Sequence, residues 1–204
     1  MRIRTLALAS AALIATALLA GCTPNQTMPD TMPGMDHGSS SSPSSTSAQF
    51  NAADEMFATM MIPHHQQAIE MADMILGKDD IDPQVVTLAE QIKAAQGPEI
   101  ETMKGWLEEW GAPYDESAVD GMSGMDHGDG MMSDEDMTAL ESATGTEATR
   151  LFLDGMIMHH QGAITMAQSQ LDNGQNEDAL ELAQQVIDGQ SAEITTMQAI
   201  LATL

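Results

Sequence analysis

Apolar residues recur at three- and four-residue spacing through four long stretches of the chain, the periodicity of amphipathic helices. The first runs from about Ala52 to Leu76 and stops where Gly77 is followed by Asp79, Asp80 and Asp82. Pro83 suits a first helical turn and opens the second, which ends near Trp110 and Gly111, ahead of Pro113. The third runs from about Glu147 to Leu171, stopped by Asp172-Asn173-Gly174, and the fourth from about Glu177 to the C-terminus. No stretch alternates apolar and polar positions as a half-buried strand would. Pro63 lies inside the first helix and is expected to kink it just before His64 and His65. Each pair of helices forms a hairpin with one apolar face that it cannot cover alone. Two hairpins together make an all-α, antiparallel four-helix bundle.

The hairpins repeat one another. Phe57-Ala-Thr-Met-Met-Ile-Pro-His-His-Gln-Gln-Ala-Ile-Glu-Met-Ala72 matches Phe152-Leu-Asp-Gly-Met-Ile-Met-His-His-Gln-Gly-Ala-Ile-Thr-Met-Ala167. Further on, Leu88, Ala89, Gln91, Gln96, Glu99, Ile100 and Met103 match Leu182, Ala183, Gln185, Gln190, Glu193, Ile194 and Met197 in the same order. Gly34-Met-Asp-His-Gly38 also recurs, as Gly124-Met-Asp-His-Gly128. The bundle is therefore assigned to residues 50–204, with repeats at about 50–111 and 147–204. Residues 112–146, acidic and rich in Gly and Met, are expected to form a mobile crossover.

The N-terminus changes the picture of where the protein resides. Arg2 and Arg4 precede an apolar run from Leu6 to Ala20, too short for a comfortable membrane span, which ends in Leu19-Ala20-Gly21-Cys22. That ending resembles a bacterial lipobox, so residues 1–21 read as a lipoprotein signal peptide and Cys22 as the lipidated residue. Residues 22–49, rich in Ser, Thr, Pro and Gly, read as a disordered tether. The expected location is extracytoplasmic, with the membrane reached through the lipid anchor at Cys22.

Composition narrows the function. Against 31 acidic residues there are 6 basic ones, a formal net charge of -25, which excludes nucleic acid or an anionic lipid surface as a natural partner. The single cysteine excludes a disulfide framework and a Cys-rich zinc site. Aromatic residues are only 3% of the chain, so the core must be built from Leu, Ile, Val, Ala and the 19 methionines.

The same periodicity places chemistry inside that core. With successive residues turned by about 100°, His64 and His65 both fall within the apolar arc of the first helix. Met60 and Met71 flank His64, and Met61 lies one turn before His65. The third helix repeats this with Met156, His159, His160 and Met166, although Gly155 stands where Met60 does. Glu99 and Met103 share a face with Gln96 on the second helix, as Glu193 and Met197 share one with Gln190 on the fourth. Inward imidazoles, thioethers and carboxylates in both halves suggest a metal site. Thioethers suit Cu(I) and imidazole serves Cu(I) or Cu(II), so copper is the expected ion. His65 and His160, nearest the apolar centre, are the expected inner ligands. Met35, His37, Met125 and His127, in the repeated Met-Asp-His segments, are candidates for auxiliary metal capture. Methionine stripes also serve as core filler, and inward histidines also occur as hydrogen-bonded core residues.

The Met-Ile-Pro-His-His-Gln block beginning at Met61, followed by Ala-Glu-Gln-Ile and then Gln96-x-x-Glu99-Ile-x-x-Met103-x-x-Trp106-Leu107, resembles the bacterial family called domain of unknown function 305. The resemblance covers about Phe50–Trp110 and again Leu151–Leu201, as two tandem copies. It implies a ferritin-like four-helix bundle and, from some members, extracytoplasmic copper binding and resistance. The matching positions are Met61, His64, His65, Met71, Glu99 and Met103, and Met156, His159, His160, Met166, Glu193 and Met197. Met158 in place of the proline and Gly162 after Gln161 depart from the pattern, so the second half need not equal the first. The expectation is a non-enzymatic copper buffer or chaperone. The alternatives are an envelope interaction domain whose His and Met only pack, and a ferritin-like di-metal oxidase. The oxidase would require Glu-x-x-His motifs, which the sequence lacks. No protein partner is legible.

Overall fold

The computed structural model describes residues 49–117 and 130–204. Among them run five helices: α1 (Ala52–Leu76), α2 (Pro83–Glu109), α3 (Asp134–Ser142), α4 (Gly145–Asn173) and α5 (Glu177–Leu201). Four are the expected long helices, and their ends carry local signals. Asn51 caps α1 in a reciprocal capping box with Asp54, Asp82 caps α2 ahead of Pro83, and Asn176 caps α5. Asp54 is fully buried and does more than cap. It also accepts hydrogen bonds from the Gln170 side chain and from the backbone N–H groups of Gln175 and Asn176, tying the start of α1 to the α4–α5 turn.

Two apolar clusters show how the long helices are arranged. One joins Phe57–Ile62 of α1, Ile100–Leu107 of α2, Ala163 and Ala167 of α4, and Leu182–Val186 of α5. The other joins the opposite halves of the same helices, including Met71, Ile75, Leu88, Ile92, Phe152, Met156, Met197 and Ile200. Each helix thus meets its neighbours in antiparallel sense, in the ring order α1, α2, α5, α4. The α1–α4 contact is extensive and the α2–α5 contact is sparse. α1 remains helical through Pro63, and α2 through Pro98, each proline standing one residue before a residue of the polar layer described below.

The expected mobile crossover over 112–146 needs correction in its second half. Residues 134–142 form α3, started by a capping box between Ser133 and Asp136. Met132 and Leu140 are buried in the core, and α3 packs against α1 and α4. Burial of these two side chains supplies the apolar contact that so short a helix needs in order to persist. Among the described residues no helix is long and apolar enough to cross a membrane. Cys22, Met35, His37, Met125 and His127, together with the signal peptide and nearly all of the tether, lie outside the described residues.

Candidate metal centre

Between the two apolar clusters the bundle carries a polar layer. His64, His65, His159 and His160 are each at most 3% exposed, joined by buried Gln96 and Gln190 and by the partly exposed Glu99 and Glu193. The divergence of adjacent helical residues decides who meets whom. His64 faces across the α1–α4 contact to His159, their ring centroids 3.7 Å apart and the planes tilted by 40°. His65 turns instead to α2, where its Nε2 lies 2.7 Å from Glu99 Oε2, and His160 makes the equivalent 2.7 Å contact with Glu193 Oε2 on α5. The histidines in mutual contact at the centre are therefore His64 and His159, while His65 and His160 each engage a carboxylate of their own hairpin.

That carboxylate contact sets the chemistry of the ring. An ionised carboxylate only accepts, so Nε2–H of His65 and of His160 donates, and the lone pair of a neutral ring is left on Nδ1. Both Nδ1 atoms are buried without a hydrogen-bond partner. A carboxylate fixing the far nitrogen of an imidazole is the arrangement that orients histidine toward a metal. Glu99 and Glu193 thus act on their histidines, a role that spacing alone did not reveal. His159 is more exposed to the cost of burial. No hydrogen bond of normal geometry reaches either of its nitrogens, although the His64 backbone lies near enough to favour its proton slightly. Its pKa is held well below the usual histidine value, first by desolvation and then by the positive charges that His64, His160 and His65 would carry.

The soft donors lie on both sides of the layer. Met61 and Met103 are fully buried in one apolar cluster, with Met166 partly buried against it. Met71, Met156 and Met197 are fully buried in the other. The sequence-derived donors therefore gather into two groups that draw on both hairpins: Met71 of α1 sits with Met156 and Met197, and Met166 of α4 with Met61 and Met103. Among the described residues no three His, Cys, Asp or Glu side chains are placed to hold one ion together, and thioether sulfur is the soft donor that the flanking clusters add. Imidazole nitrogen and thioether sulfur are the donor types that suit a soft monovalent ion such as Cu(I).

A further methionine, Met132, belongs to the stretch expected to be a mobile loop that packs nothing, yet it is buried in the core. The Sδ of Met132 lies 2.7 Å from where a Cβ on Gly155 would stand, and the methyl of Met71 is 3.4 Å from the same point. Gln67 grips the Met132 backbone from both sides, donating to its carbonyl at 2.9 Å and accepting from its N–H at 2.8 Å. Gly130, at φ +82°, comes so close to α4 that a Cβ would overlap the Met158 carbonyl oxygen and crowd the Gly162 N–H. Gly155 and Gly162, which stand where the first hairpin has Met60 and Gln67, receive this segment on α4, and Gln67 itself holds it on α1. The broken repeat was the available signal.

Residues 54–201, which include both hairpins, match one family profile, described as Domain of unknown function (DUF305). A DUF305 protein of Streptomyces coelicolor is 32% identical, with a TM-score of 0.66 over 74% of this chain and 93% of that one. A DUF305 fragment from Deinococcus radiodurans is 30% identical, with a TM-score of 0.65 over 76% and 98%. CopM, solved with Cu(II) bound, is 36% identical, with a TM-score of 0.64 over 74% and 96%, and it has also been solved in Cu(I)-bound and Ag-bound forms. A comparison with curated proteins gives no match. A four-helix bundle crossed by a His and Met layer, matched from Asp54 to Leu201 by one profile, places this chain in the DUF305 family.

Proposed function

We propose that this protein is a non-catalytic, extracytoplasmic copper-binding protein, held at a membrane by a lipid on Cys22, that buffers or delivers copper through the polar layer of its bundle. The observation that carries the reading is the layer itself: four buried histidines, with Nδ1 of His65 and of His160 and both nitrogens of His159 reached by no hydrogen bond of normal geometry, set between two clusters of buried methionines. Unsatisfied buried nitrogens cost stability, so a domain that needed only packing would do better with apolar side chains there. The copper- and silver-bound structures of CopM, similar in fold and over one third identical in the Cu(II) form, support the same choice of ion. His65 and His160 would bind through Nδ1, His64 and His159 from the centre, and Met61, Met103 and Met166 or Met71, Met156 and Met197 through sulfur. Bound copper would supply only its own capture and release. The chain's part is to present neutral nitrogens and sulfurs in a space closed to water.

Competition titration of the protein against a chromophoric Cu(I) chelator tests this. Replacing His64, His65, His159 and His160 together by Leu should remove tight Cu(I) binding while helical circular dichroism persists. Equal copper uptake by the two proteins would make the histidines packing residues. Lipid attachment is tested separately: Cys22→Ala should abolish labelling by a radioactive fatty acid and release the protein from membranes. Unchanged labelling would end that part of the proposal.

A further inference from the structure

Where α2 and α5 meet only sparsely, the bundle leaves a cleft of about 40 Å³ whose lining includes Gln96, Glu99, Gln190, Glu193 and Gly189. The two glutamines are 2% and 4% exposed, and among the described residues no group hydrogen-bonds to either amide, at oxygen or at nitrogen. Buried amides are rarely left so. Glu99 and Glu193 each engage a histidine through Oε2, are about one-fifth exposed, and both line the cleft. Two amide and two carboxylate side chains, drawn equally from the two hairpins, therefore line one small space that carries two negative charges.

We infer that the α2–α5 cleft is a binding site for a hard divalent cation of the calcium class, separate from the histidines and methionines inside. The donor set decides the class of ion. Carboxylate and amide oxygens suit Ca²⁺, Mg²⁺ and Mn²⁺, whereas Cu(I) prefers the sulfur and nitrogen of the interior. Calcium takes six to eight oxygens in a flexible shell, and the open side of the cleft admits water to complete it. The space has room for an ion with a water or two, since a single water needs roughly 10–15 Å³ on the same measure. An ion here would neutralise the two carboxylates and give both amide oxygens the partner that the fold withholds, while its waters could accept from the amide N–H groups. Because Glu99 and Glu193 also hold His65 and His160, occupation of the cleft would act on the orientation of the inner imidazoles.

Mn²⁺ serves as the probe, added to the ¹⁵N-labelled full chain free of copper. Paramagnetic broadening should strike the backbone amides of Ala95 and Gly189 at Mn²⁺ levels at least tenfold below those that affect the acidic α1–α2 turn at Asp79–Asp82, and excess Ca²⁺ should restore them. Gln96→Leu with Gln190→Leu should weaken the effect at least tenfold. Gly189→Leu offers a second route, because a Cβ there meets nothing within 4 Å and the side chain would plug the cleft while keeping every donor. Broadening that begins at the acidic turn, or that persists at Ala95 and Gly189 in both variants, would overturn the site. The result is independent of the interior reading, because copper titration reports the imidazoles and thioethers while Mn²⁺ reports the cleft.

Discussion

Replacing His159 by Leu should make the copper-free protein more stable, and the size of the effect follows from its surroundings. The ring is fully buried, and neither nitrogen makes a hydrogen bond of normal geometry. A buried polar group left unpaired costs about 1–3 kcal/mol, which Leu would not incur. Against this stands the contact with the His64 ring at 3.7 Å, where an aromatic pair contributes about 0.5–1.5 kcal/mol. The net gain expected at pH 7 is about 1 kcal/mol, which raises Tm by roughly 2–4 °C in a domain of this size. The gain should grow in acid. Since the folded-state pKa of His159 is depressed, the native protein has its full stability above the unfolded value of about 6.5 and loses it as the unfolded chain takes up the proton. His159→Leu lacks this loss, so the difference between the proteins should widen by about 1 kcal/mol from pH 6.5 to pH 5.5. Urea unfolding followed by circular dichroism at the two pH values measures both quantities. A variant less stable than the parent by more than about 1 kcal/mol, with no widening in acid, would mean that the imidazole is a packing residue, and the reasoning would fail.

Three further outcomes follow from the frame around the site. Asp54→Ala strands the donors of Asn51, Gln170, Gln175 and Asn176 and should cost on the order of 3 kcal/mol in urea unfolding; a loss under 1 kcal/mol would show that water replaces the carboxylate. Gly130→Ala should lift the Met132 segment off α4, since both its positive φ and the Met158 carbonyl oppose a Cβ, and should expose α3 to limited proteolysis; unchanged protease resistance would refute the docking. Gly105→Ala, on an open face of α2, should stabilise the fold by about 1 kcal/mol, measured as a rise in the urea midpoint without a change in slope.

How much of this was legible in the sequence differs from element to element. α1 was read to both of its ends, because Gly77 and the acidic turn after it interrupt an unbroken apolar period, and Pro83 marked the start of α2. The burial of all four histidines followed from helical period alone. α3 was missed because nine largely acidic residues carry little apolar signal, although Ser133 and Asp136 offered a capping box that could have announced it. The pairing of His65 with Glu99 was half legible. Spacing put the carboxylate on the right face of α2, but the atom it engages depends on how α2 lies against α1, which no local pattern encodes. Met132 depended on tertiary contact altogether, and Gly155 and Gly162 were noticed as departures from the repeat without the segment that fills them.

The central claim is that the buried imidazoles bind copper together with thioether sulfur. X-ray absorption at the copper edge of the Cu(I)-loaded full chain tests it directly, with His37 and His127 replaced by Ala so that every remaining imidazole belongs to the bundle. The account predicts imidazole nitrogen and thioether sulfur scattering in the same spectrum, with the nitrogen contribution lost when His64, His65, His159 and His160 are replaced by Leu. Scattering from sulfur alone, identical in both proteins, would contradict it.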